Sequence, residues 1–192
     1  MTSDATPDPT SAAHSSGSDP AVPVPDDKDW TWILDRHCPD CGFVADIDRD
    51  RIPARILGDA ATWQEVLDRE DALVRPSAQV WSPSEYACHV RDLYEVFRGR
   101  LQRMLTEDNP QFANWDQDET ALERRYWDQD ITELRGQIEK NANAWAALYE
   151  SVTGPAWDRV GTRSNGSEFT VNSLALYGLH DVAHHLHDVG AG

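Results

Sequence analysis

From Trp30 onward, apolar residues recur at steps of three and four, the spacing that lines one face of an α-helix. Ile52, Ile56, Leu57, Trp63, Val66 and Leu67 predict a first long helix from about Ile52 to Leu73, with Pro53 in its first turn. The second helix starts more sharply, at Trp81-Ser82-Pro83-Ser84-Glu85. Ser82 can accept a hydrogen bond at the helix start, Pro83 suits a position whose N–H is not needed, and Glu85 completes a capping box. Tyr86, Val90, Leu93, Phe97, Leu101 and Met104 then form one stripe. A polar and aromatic connection from Glu107 to Asp130 follows, with a short helix expected at Thr120–Tyr126. Ile131, Leu134, Ile138, Trp145 and Leu148 mark a third long helix, which Gly154-Pro155 stops after Val152. Trp157 to Phe169, with Asn165-Gly166, reads as a loop or short hairpin. Thr170 caps a last helix that runs to Val189 and ends at Gly190.

Four amphipathic helices with one long connection between the second and third predict an all-α fold, a four-helix bundle. The pattern is different over residues 1–29, which hold five of the eleven prolines and no Leu, Ile or aromatic residue. Such a stretch cannot bury enough apolar surface to offset its ordering entropy, so the expectation is a disordered tail followed by one domain at 30–192. The tail has neither the basic start nor the apolar core of a secretion signal, and no apolar run reaches the ~20 residues of a membrane span. The formal charge of −17 repels nucleic-acid backbones and anionic membranes, and no basic stripe compensates. Three cysteines do not make a disulfide framework. The expectation is a soluble cytoplasmic protein acting on small molecules, with monomer and homodimer both left open.

Four of the seven histidines fall in His180-Asp181-Val182-Ala183-His184-His185-Leu186-His187. His180 and His184 lie one helical turn apart, which sets two imidazole nitrogens on one side of the helix, a common arrangement for binding a transition metal. His185 points elsewhere, and His185 and His187 suit a solvated helix end. Asp181 and Asp188 lie beside the pair and can orient an imidazole. His89 sits at the edge of the second helix's stripe. A lone histidine there is more often a packed core residue than a ligand, but a pair on another helix changes that balance. His89, His180 and His184 together would give three nitrogens and an open position, the form that catalytic metal sites take.

The segment Trp81 to His89 resembles the second-helix signature of the DinB-like superfamily, whose histidine near the start of that helix is a metal ligand. Phe169-Thr170-Val171 through His184-His185 resembles the same family's last helix with its His-x-x-x-His pair. The resemblance covers roughly Ile52 to Val189 and implies a four-helix bundle with a divalent metal, zinc or nickel, at His89, His180 and His184. Several branches of the family use low-molecular-weight thiols, among them mycothiol-dependent maleylpyruvate isomerase and the bacillithiol transferases. The resemblance therefore implies a metal- and thiol-dependent transferase or isomerase that joins a thiol such as mycothiol to a small electrophile. The alternatives are a metal-dependent hydrolase and a non-catalytic metal-binding or stress-associated module.

The segment His37-Cys38-Pro39-Asp40-Cys41-Gly42-Phe43 lies outside that family pattern. A closed zinc site would need a second Cys-x-x-Cys or a distant Cys/His pair of finger spacing, so structural, thiol-exchange and metal-binding roles all stay open. Trp115, Trp127 and Trp157 lie in connections and either line a pocket or cap the bundle. Arg91, Arg124 and Arg125 either bind a substrate carboxylate or sit in ion pairs.

Overall fold

A computed structural model describes Pro23 and residues 28–192 of the chain. The tail expected at 1–29 lies, but for Pro23, Lys28 and Asp29, outside the described residues. The helices are α1 (Ile52–Leu67), α2 (Pro83–Thr106), a short α3 (Gln117–Glu123), α4 (Ile131–Glu150) and α5 (Val171–Asp188). The four long ones make the expected bundle, with α3 in the long connection between α2 and α4. α4 lies against both α1 and α2, and α5 against α2 and α1, so the order round the bundle is α1, α4, α2, α5.

The capping box at α2 is complete: Ser82 Oγ accepts from the Glu85 N–H at 3.3 Å, and Glu85 Oε2 accepts from the Ser82 N–H at 2.8 Å. Arg75 pairs with the same glutamate. α1 stops at Leu67, short of the expected Leu73. Its buried stripe ends there, the charged run Asp68-Arg69-Glu70-Asp71 follows in turns, and Leu73 and Val74 are exposed. Thr170 caps α5 as expected, reciprocally with Ser173.

Trp63, Trp145, Tyr94, Tyr149 and Phe97 are among the largest fully buried side chains of the bundle core. Gly178 on α5 makes room for two of them, since a Cβ there would lie 2.7 Å from Phe97 Cδ1 and 3.0 Å from Trp145 Cη2. The expected hairpin forms as β2 (Val160–Arg163) antiparallel to β3 (Glu168–Thr170), and β1 (Gln111–Phe112) adds in parallel to β2. β1 is two residues long, too short to show an alternating pattern.

Residues 30–43 cover one side of α5. Asp29 caps a 3₁₀ turn, Trp30–Leu34, which packs on α5. Ile33, Cys38 and Phe43 are buried there. This segment, outside the four helices, is what brings the cysteines to the histidine cluster. Among the described residues, no helix is long and apolar enough to cross a membrane.

Candidate metal centres

α5 carries two i, i+4 pairs offset by a single residue: His180 with His184, and Asp181 with His185. One residue turns a helix by about 100°, so the two pairs face different neighbours. The three ligands expected from sequence are not brought together as one set. His89 meets Asp181 and His185, whereas His180 and His184 meet Cys38 and Cys41. In each group the ligand atoms all lie within 4.8 Å of one another.

In the first group His89 projects from the second turn of α2, fully buried and stacked on Trp115 with ring centroids 5.1 Å apart. Its Nε2 is 3.2 Å from Asp181 Oδ1, and His185 Nε2 is also 3.2 Å from that oxygen. His185 Nδ1 is 2.8 Å from Asp188 Oδ2, the carboxylate support that orients ligating imidazoles. Burial alone would raise the Asp181 carboxyl, but hydrogen bonds from His185 and His89 hold it well below the ordinary range. Burial likewise opposes charge on His185, yet Asp181 and Asp188 carry its pKa up to about 9. Two carboxylates thus favour positive charge at this point, which suits an imidazolium or a divalent cation.

In the second group Cys38 Sγ is 3.6 Å from His184 Nδ1. Burial lowers His184 and pushes His180 down to about 4, so both are neutral imidazoles near pH 7. Burial raises the Cys41 thiol to about 11. His187, the remaining histidine of the cluster, belongs to neither group.

Asp181 and His185 of the first group and His180 and His184 of the second all line one cavity of about 650 Å³, together with Arg100, Trp115, Arg163 and Tyr177. Arg100 is buried, and its Nη2 donates to the Ala113 carbonyl at 3.3 Å. Among the described residues no carboxylate lies within ion-pair distance of it. Burial, and then the neighbouring Arg163, push its pKa down to about 10. Arg163 Nη1 donates to the Tyr177 hydroxyl at 3.4 Å. A buried guanidinium without a carboxylate partner, at a cavity wall, is poised for an anionic group.

Sequence reasoning missed Arg100 and Tyr177, since nothing in the helical pattern separates a cavity-facing position from a core one, and it missed Arg163, which lies on the short strand β2. Of the arginines it singled out, Arg91 and Arg124 converge on Asp92, and Arg125 pairs with Asp128. Trp115 lines the cavity as one of the two readings held, while Trp157 packs on Tyr149 and Trp127 lies under Arg125.

A model of the DinB superfamily matches residues 57–189. Among solved structures, YfiT from Bacillus subtilis is similar, with a TM-score of 0.64 at 18% identity over 72% of this chain and 82% of that one. It is described as a probable metal-dependent hydrolase with an unusual four-helix bundle topology. No functionally curated protein matches the chain.

Proposed function

The chain belongs to the DinB superfamily, and we propose that it is a metal-dependent enzyme that sets a nucleophile against a small anionic electrophile. The observation that carries this reading is the convergence of the buried His89 Nε2 with Asp181 Oδ1 and His185 Nε2, two residues that line a cavity together with Arg100. Two imidazoles and an ionised carboxylate suit zinc or nickel, and three protein donors leave a position for an exogenous group. A divalent metal bound there supplies Lewis acidity and favours the ionised form of a nucleophile beside it. Asp188 fixes the His185 ring, and Trp115 covers the His89 face. Arg100, with Arg163 and Tyr177, holds the anionic end of the substrate and so orients its reacting carbon. The nucleophile is a low-molecular-weight thiol, mycothiol or a related compound, as the family resemblance implies, and the products are those of a transferase or isomerase.

Hydrolysis is the second reading, favoured by the donor set, since two histidines and a carboxylate are also a hydrolytic zinc set. The likeness in fold to YfiT agrees with it. The test is turnover of a panel of carboxylate-bearing electrophiles by metal-loaded protein, with and without thiol. Thiol-dependent turnover lowered more than ~100-fold by His185→Ala is expected. Turnover without thiol assigns hydrolysis instead. No turnover under either condition, with chelation lowering only the melting temperature, makes the protein a non-catalytic metal-binding module. Arg100→Gln is expected to raise KM by roughly tenfold, the loss of one charge-assisted hydrogen bond, with a smaller change in kcat.

A further inference from the structure

We propose that Cys38, Cys41, His180 and His184 form a second metal centre, a closed four-ligand site that fastens residues 30–43 to α5 through a divalent cation of the zinc class. It goes beyond the reading above and uses none of the three ligands assigned there.

Each of the four residues offers one donor atom, and all four donors lie within 4.8 Å of one another. Their spacing in the chain is Cys-x2-Cys and His-x3-His, the two half-sites of a Cys2His2 zinc centre. Here the half-sites are far apart in sequence and meet only because the segment carrying the cysteines folds back on the last helix. The cysteine half-site is a tight turn. Cys38 N–H donates to the Phe43 carbonyl at 2.9 Å, and the Cys38 carbonyl accepts from Gly42 N–H at 2.9 Å. Gly42 holds φ at +73°, where a side chain is strained.

The histidine half-site carries an independent mark. His180 is 2% exposed, and its Nε2 is buried with no hydrogen-bond partner. A buried polar nitrogen without a partner costs stability, and a metal bond satisfies it. Aromatic rings close the surroundings: Trp30 lies 5.3 Å from His180 and 4.7 Å from His184, and Phe43 lies 5.5 Å from His180, centroid to centroid. Asp188 Oδ1 is 3.9 Å from His184 Nε2, on the far side of the ring from Cys38, as a supporting carboxylate would be. Two thiolates and two neutral imidazoles neutralise a divalent cation, and the two thiol protons pass to solvent on binding. With four protein donors no position is left for a substrate, so the centre is structural.

The test uses the full chain loaded with zinc or cobalt(II). X-ray absorption of the zinc protein should show sulfur among the ligands, and elemental analysis should give about two metals per chain. In the cobalt protein, the thiolate-to-metal charge-transfer band in the near ultraviolet should be present in wild type and in His185→Ala. It should be lost when Cys38→Ser and Cys41→Ser are combined, and weakened, with the tetrahedral visible bands kept, in Cys41→His. The Cys41→His variant keeps four donors, so it separates loss of a sulfur from loss of the fold. Sulfur ligation without enzymatic turnover would support this centre while defeating the proposed activity. Wild-type protein that binds metal through nitrogen and oxygen alone would overturn the proposal.

Discussion

Asp92 shows what single residues contribute away from the metal ligands. It is 2% exposed on α2, yet it accepts from Arg91 Nε at 2.7 Å, Arg124 Nη1 at 2.7 Å and the Tyr126 hydroxyl at 2.6 Å. Three donors from two elements compensate one buried carboxylate and tie the α2–α4 connection to the bundle. Asp92→Ala would leave Arg91 buried without its partner and is expected to cost about 3–5 kcal/mol in urea unfolding. Tyr126→Phe removes one of the three bonds and should cost about 1–2 kcal/mol. Asp59 on α1 gives a pH dependence of opposite sign to the usual carboxylate. Burial raises its pKa, against the opposing pull of Arg55. The folded state therefore holds this proton more tightly than the unfolded chain, and the stability it confers is lost as pH rises through the folded value. Asp59→Asn should therefore gain in melting temperature relative to wild type as pH is raised from about 4 to 7. A gain that shrinks over that range would contradict the assignment.

At the scale of elements, α2 and α5 were legible because their starts rest on local chemistry. Ser82, Pro83 and Glu85 mark one start and Thr170 the other, and both caps form within a few residues of chain. The end of α1 was not, since Leu73 continues the apolar spacing but meets nothing to bury it. The candidate ligands were legible in kind, and the structure groups them differently from the set expected from sequence. His180 and His184 form a conspicuous pair, and sequence spacing alone joins them to His89. The adjacent pair contains Asp181, whose carboxylate looks like a supporting group until its distance to His89 is known. The Cys-x-x-Cys shows no partner in sequence for the same reason, since the His180 and His184 that it meets lie about 140 residues away on α5. Only the packing of α5 against α2 and against residues 30–43 decides which face serves which neighbour. That packing is close at Gly178, where a methyl group would meet Phe97 and Trp145. Gly178→Ala is therefore expected to destabilise by about 1–3 kcal/mol through overpacking, despite alanine's better helix propensity, as thermal or urea unfolding would show.

Over the whole molecule, the bundle supplies the site by bringing α2 and α5 into contact, and residues 30–43 lie over α5 as an addition to the four-helix plan. The net charge of −17 adds self-repulsion that the folded state must offset, and a divalent cation held by His89, Asp181 and His185 would relieve part of it. Stripping metal with a chelator should lower the melting temperature by several degrees, since each ~1 kcal/mol of stabilisation shifts a chain of this size by about 2–4 °C. Restoring zinc in excess should recover it.

The one-residue offset between the two pairs on α5 has a consequence for how their ligands can respond to one another. His180 and Asp181 are consecutive on a rigid helix, as are His184 and His185, so a rotation or slide that improves one donor set displaces the other. With both filled, occupancy at the cysteine-bearing centre fixes the azimuth of α5 and thereby the positions of Asp181 and His185. Thermodynamic linkage makes that influence mutual: a cation at either centre changes the affinity of the other by the same factor. A single residue inserted between Asp181 and His184 would put both pairs out of phase at once.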